Sequence, residues 1–263
     1  MARNELYVKR LIDIDEAQRD YHSWRESTYI FQTEDSKSVL EKLAQEIKEF
    51  EEALKKPWKN RLNIAAEAAD IFIFSLALLD HEDTLISSLF SNGKEVKFFD
   101  ELQEIAEKRI KDSKRFSPNE ILQNIKTARN NLKSYFSGKP VNPKENIKEI
   151  ILSSSQIIAG YGLPVGAVIS GKLARNEDKY PRYSFAENSL IENSLALGLV
   201  GQSLQEQVRL MQVSCRNQWD SRRDSEYLLA AMTPKERNAF NLRSAALVPA
   251  FVSAKFFQKG QRV

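Results

Sequence analysis

Glu46 and Glu49 stand three residues apart, as do Glu67 and Asp70, and 17 residues separate the two pairs. On a helix, acids at this spacing project from one face. Four carboxylates brought close together repel one another, and burial raises the cost of keeping them ionised, unless a cation sits among them. An all-oxygen donor set suits a hard ion, Mg²⁺ or Mn²⁺, which keeps several waters and leaves positions open for substrate phosphates. A di-iron bundle would need Glu-x-x-His, and neither His22 nor His81 has an acid three residues before it. The plainer alternative is that each pair belongs to a solvated helix face, with Glu67 and Asp70 in first turns that favour negative charge.

A second group lies downstream. KLARNEDKYP carries Lys172, Arg175, Asn176 and Lys179 within about two helical turns and ends at Tyr180-Pro181. Such a cluster can hold a polyphosphate, and it can equally complement the dipole at its own helix end. Gly166 to Lys172 spells GxxxxGK, but Leu173 stands where a phosphate loop needs Ser or Thr. GYGLPVG has Val165 in place of the third glycine of a dinucleotide fingerprint. With no GxSxG elbow and no Cys-His pairing, nucleophilic side-chain catalysis has no candidate.

These groups must be positioned by helices. Only 9 glycines and 8 prolines occur, and apolar residues recur at spacings of three and four, so the fold class is all-α. One helix is expected from Ser36 to Lys56, capped by Asp35 or Ser36, with a stripe of Leu40, Leu43, Ile47, Phe50 and Leu54, and closed by Pro57. A second is expected from Asn60 to Asp80, apolar around most of its circumference beyond Asp70 and therefore central. With Leu43 and Ile64 as zero, Glu46 and Glu67 both fall at about −60°, Glu49 and Asp70 at about −120°. Stripe-to-stripe packing would bring the four acids together beside the seam.

Further helical stretches are expected at 98–112 and 118–136, at 147–159, and from Pro164 into KLARNEDKYP. Another opens at Thr233-Pro234-Lys235-Glu236, where Thr can cap, Pro fits the first turn and Glu completes a capping box.

Taken together, Glu46-x-x-Glu49, Glu67-x-x-Asp70 and Lys172-x-x-x-Asn176-x-x-Lys179-Tyr180-Pro181 resemble the MazG-like members of the all-α nucleoside triphosphate pyrophosphohydrolase superfamily. In that family the two acidic pairs bind magnesium and the K-x-x-x-N-x-x-[KR]-Y-P element closes the substrate site. The resemblance covers roughly 36–80 and 147–181 and implies a MazG-like domain over 30–181. Residues 82–143 are then a helical insertion, and 187–263 form a C-terminal helical extension without a counterpart. Between Asp70 and Lys172 lie 101 residues, where compact members have a short connection.

The resemblance implies Mg²⁺-dependent cleavage of a ribo- or deoxynucleoside triphosphate between the α and β phosphates, in nucleotide-pool housekeeping. Glu46, Glu49, Glu67 and Asp70 would hold the metal. Glu49, the outward member of its pair, is the candidate general base, although any of the four acids can fill that role. Lys172 and Arg175 would bind the triphosphate and assist departure of pyrophosphate, with Lys179 beside them, while Asn176 and Tyr180 position phosphate or sugar. A base could stack on Trp24, Phe31, Trp58 or Tyr180. A homodimer or higher homo-oligomer is expected.

Composition sets the outer bounds. With 39 Lys plus Arg against 36 Asp plus Glu, the formal charge of +3 does not point to nucleic acid. The single Cys215 excludes an intrachain disulfide framework and fits a reducing cytoplasm. MARNELYVKRLIDIDEAQRD contains no apolar signal core, and no run approaches about 18 uninterrupted apolar residues, so neither secretion nor membrane insertion is expected. The rival to an enzyme is a helical binding or regulatory protein with a vestigial acidic site. In that reading the partner meets Arg216, Arg222, Arg223, Lys235, Arg237 and Arg243, although Asp220, Asp224 and Glu236 alternate with them as on a solvated face.

Overall fold

The computed structural model describes residues 8–28, 35–55, 61–90, 96–113, 115–179 and 224–241. Its helices are α1 (Ile14–Glu26), α2 (Ser36–Leu54), α3 (Arg61–His81), α4 (Phe99–Asp112), α5 (Pro118–Tyr135), α6 (Pro143–Gly160), α7 (Val165–Lys179) and α8 (Asp224–Ala231). A 3₁₀ turn spans Ile86–Phe90, a further helical stretch covers 234–241, and no strand occurs among the described residues. The fold is all-α.

Helix α2 begins where Asp35 accepts a hydrogen bond from the Ser38 amide at 2.7 Å, which satisfies one of the first-turn donors. Its Val39, Leu40, Leu43, Ile47 and Phe50 are buried at helical spacing, mainly against α3. Pro57 lies outside the described residues. Helix α3 is buried nearly all round from Ile64 to Leu79. By length and composition it matches a membrane span, but 72% of that window is buried inside this bundle, as befits a central core helix.

The second half of the core is α6, whose Asn142 caps the Lys144 and Glu145 amides and whose Pro143 occupies the first turn. Helices α3, α4 and α5 all pack on α6. Ser153, Ser154 and Ser155 are fully buried there, and each hydroxyl donates to the preceding turn, to Glu149 Oε1, the Ile150 carbonyl and the Ile151 carbonyl respectively. A turn through Gly162, at φ 74°, then bends the chain by 106° into α7. The GxxxxGK sequence therefore lies inside α7 and forms no phosphate loop.

The sequence reading does not anticipate α1. Asp13 caps it by accepting from the Glu16 amide at 2.8 Å, and Ile14, Ala17, Tyr21 and Trp24 form its buried stripe. The Gln18 side chain ties α1 to the 3₁₀ turn, donating to the Thr84 carbonyl at 2.9 Å and accepting from the Ile86 amide at 2.8 Å. The capping box at Thr233 is present: Glu236 accepts from the Thr233 amide at 2.7 Å, and the Thr233 hydroxyl accepts from the Glu236 amide at 3.3 Å.

Candidate metal and phosphate site

Packing of α2 on α3 brings Glu46, Glu49 and Glu67 together, with one carboxylate oxygen from each within 4.8 Å of the others. Glu46 and Glu67 are partly buried, whereas Glu49 is exposed and accepts from Gln45 Nε2 at 2.9 Å. The equal helical angles of the two pairs thus produce a shared acidic edge. Asp70, one turn beyond Glu67, takes a different partner: Lys172 Nζ of α7 lies 2.7 Å from Asp70 Oδ2. The 101 residues between them do not keep the basic helix from the acids.

Electrostatics at this edge are only partly compensated. Burial, then the Asp70 and Glu49 charges, push the Glu46 carboxyl up to about 9, against the pull of Lys172. Burial and Asp70 likewise push Glu67 up to about 7. Burial also draws the Lys172 ammonium down, but Asp70 and Asp224 outweigh it and hold its pKa above the ordinary lysine value. Lys172 is therefore charged and committed to Asp70 and Asp224, which leaves the Glu46–Glu49–Glu67 oxygens as a donor set short of positive charge. Such a set fits a hard divalent cation.

One residue of the site escapes the sequence reading. Asp224, the first residue of α8, has its Oδ2 at 3.3 Å from Lys172 Nζ and its Oδ1 at 2.5 Å from Arg175 Nε. It is 8% exposed, Lys172 2% and Arg175 7%. The expectation that Asp224 belongs to a solvated alternating face is corrected: it is buried because two buried cations require a counter-charge. Glu236, assigned to the same face, pairs with Arg10 Nη1 at 2.6 Å, while Lys235 and Arg237 are exposed. Arg216, Arg222, Arg223 and Arg243 lie outside the described residues.

Of the other expected site residues, Asn176 accepts from Arg175 Nη1 at 3.3 Å, and Lys179 closes α7 half-buried. Tyr180, Phe31 and Trp58 lie outside the described residues. Trp24 is buried in α1, its ring 5.8 Å from that of Tyr21, and lines a cavity of 370 Å³ with Tyr21, Ser170, Leu173 and Tyr227.

No family model matches the chain, and no similar curated protein or solved structure was found. What can be said of the site therefore comes from its own geometry: a cluster of acids able to hold a metal, beside a buried lysine and arginine.

The raised carboxyl values carry a stability consequence. Glu46 and Glu67 keep protons in the folded chain that the unfolded chain releases near the ordinary carboxylate value of 4.5. Their contribution is full below that pH and is lost as pH rises through about 7 for Glu67 and about 9 for Glu46. In chelator, the unfolding free energy should fall between pH 5 and 9 by on the order of a few kcal/mol. Mg²⁺ should restore most of it at the alkaline end, where the ligands are ionised. Melting curves across pH with and without Mg²⁺ measure both; a pH-independent melting temperature unaffected by Mg²⁺ would show that the acidic cluster holds no metal.

Proposed function

We propose that the protein hydrolyses nucleoside triphosphates at the α-β phosphate bond, giving a nucleoside monophosphate and pyrophosphate. The observation that most supports this reading is the meeting of Lys172 with Asp70 beside the Glu46–Glu49–Glu67 cluster, across 101 intervening residues. Two motifs that are weak separately thereby share one locality, in the combination found in MazG-like pyrophosphohydrolases.

Glu46, Glu49 and Glu67 would hold Mg²⁺, with Asp70 adjoining. The bound ion supplies charge neutralisation at the phosphates and acidification of water. Glu49, the exposed member, would accept a proton from the attacking water. The water oxygen bonds to the α-phosphorus while the bond to the α-β bridging oxygen breaks, and that electron pair leaves with pyrophosphate. Lys172 and Arg175 stabilise the leaving charge, and Asn176 orients Arg175 through the 3.3 Å contact.

Purified protein incubated with Mg²⁺ and a panel of ribo- and deoxynucleoside triphosphates should release monophosphate and pyrophosphate in equal amounts, resolved by chromatography. Diphosphate plus orthophosphate, or no turnover of any nucleotide, would overturn the proposal. Absence of turnover would favour a helical binding protein.

A further inference from the structure

Lys172 and Arg175 are the cations assigned to the triphosphate, yet both are sealed. Lys172 is 2% exposed and Arg175 7%, and α8 lies over them with Asp224 turned inward. Lys172 meets the carboxylates of both Asp70 and Asp224, and Arg175 meets that of Asp224, so both cations already face anions. A polyphosphate cannot reach these cations without displacing one of the acids. Asp70 belongs to the central helix α3, whereas Asp224 begins a helix of 8 residues. A helix of two turns has little stability of its own away from its docking surface, so it is the cheaper element to move.

The dock is built for close approach. A side chain at Gly171 would put its Cβ 2.8 Å from the Tyr227 carbonyl oxygen and 2.9 Å from Leu228 Cα, so the bare backbone of α7 is what admits α8. Tyr227 also donates its hydroxyl to Asp178, and Leu228 is fully buried. Helix α8 is thus seated on α7 by contacts on both sides of the Lys172–Arg175 position, and its first residue sets a carboxylate against the two cations. A carboxylate between an ammonium and a guanidinium is the arrangement a phosphate oxygen pair would adopt there.

We propose that Asp224 occupies the seat of a substrate phosphate between Lys172 and Arg175, and that polyphosphate binding releases α8 from that seat. This rests on the reading of Lys172 and Arg175 as phosphate-binding cations. Helix α8 is then a plug that keeps two buried charges paired until phosphate replaces it.

Amide hydrogen exchange of the full chain, with Mg²⁺ and with or without inorganic pyrophosphate, tests the release. Exchange across 225–241 should accelerate at least about fivefold when pyrophosphate is added, a change of local opening equilibrium well within the range such segments show. Slower or unchanged exchange there would overturn the proposal. Calorimetry supplies the second arm: Asp224→Asn removes the competing charge and should bind pyrophosphate about tenfold more tightly than wild type, whereas weaker binding would make Asp224 a positioning residue. Nucleotide turnover separates this from the reading beneath it. Faster exchange without turnover leaves the plug standing and removes the hydrolase, while turnover with unchanged exchange does the reverse.

Discussion

Glu67→Gln is expected to stabilise the protein in chelator while removing the proposed nucleotide hydrolysis. Glu67 is partly buried on α3, and its carboxyl is pushed up to about 7 by burial and by Asp70. At pH 8 the folded chain therefore holds it ionised at a cost that the unfolded chain does not bear. Glutamine keeps the shape and removes the charge, which should raise the unfolding free energy in chelator by on the order of 2 kcal/mol. The same change removes one of the three close carboxylates that could hold a cation, so the stabilisation by Mg²⁺ proposed above should shrink. Loss of one preorganised charge-stabilising group typically lowers turnover by about a hundred- to a thousand-fold, and a loss of that size is expected here. Melting curves in chelator and in Mg²⁺, read beside nucleotide turnover, separate the two effects. A variant that loses activity and also melts lower in chelator would assign Glu67 to the fold instead. Opposite signs for stability and activity are the mark of a group held at a cost for function.

The same balance explains which parts of the molecule are legible in the sequence. Helices α2 and α3 can be read because burial of one stripe, or of the whole circumference, repeats with the helical period. The shared edge of Glu46 and Glu67 follows from the same arithmetic, since two stripes packed together carry their flanking residues with them. Asp224 follows no such period. Its burial is set by Lys172 and Arg175, fixed on another helix, and by the absence of a side chain at Gly171 that admits α8. Helix α1 is a nearer case: Ile14, Ala17, Tyr21 and Trp24 do recur at helical spacing, but its other nine residues are polar or charged, and it is the dock against α3, α7 and the 3₁₀ turn that gives the stripe something to cover. Local pattern thus places single helices, while long-range charge pairing decides which acids are buried.

Lys172→Met should be the most destabilising single change at the site. The ammonium is 2% exposed and serves both Asp70, at 2.7 Å, and Asp224, at 3.3 Å. Methionine fills similar volume, so the change removes charge rather than packing. It leaves Asp224 with Arg175, and strips the partly buried Asp70 of the ammonium that faced it, beside three further acids. Breaking a buried pair from one side costs about 3–5 kcal/mol, because the remaining charge keeps its desolvation penalty. In a chain of this size that lowers the melting temperature by roughly 10 °C. Adding Asp70→Asn removes the orphaned charge and restores neutrality between Arg175 and Asp224, so the double variant should recover most of the loss. Thermal melts of wild type, the two single variants and the double variant close the cycle, and the coupling term isolates the pair from packing. A Lys172→Met loss below about 1 kcal/mol, or a double variant no more stable than Lys172→Met, would show that the buried lysine is not what holds α3, α7 and α8 in register.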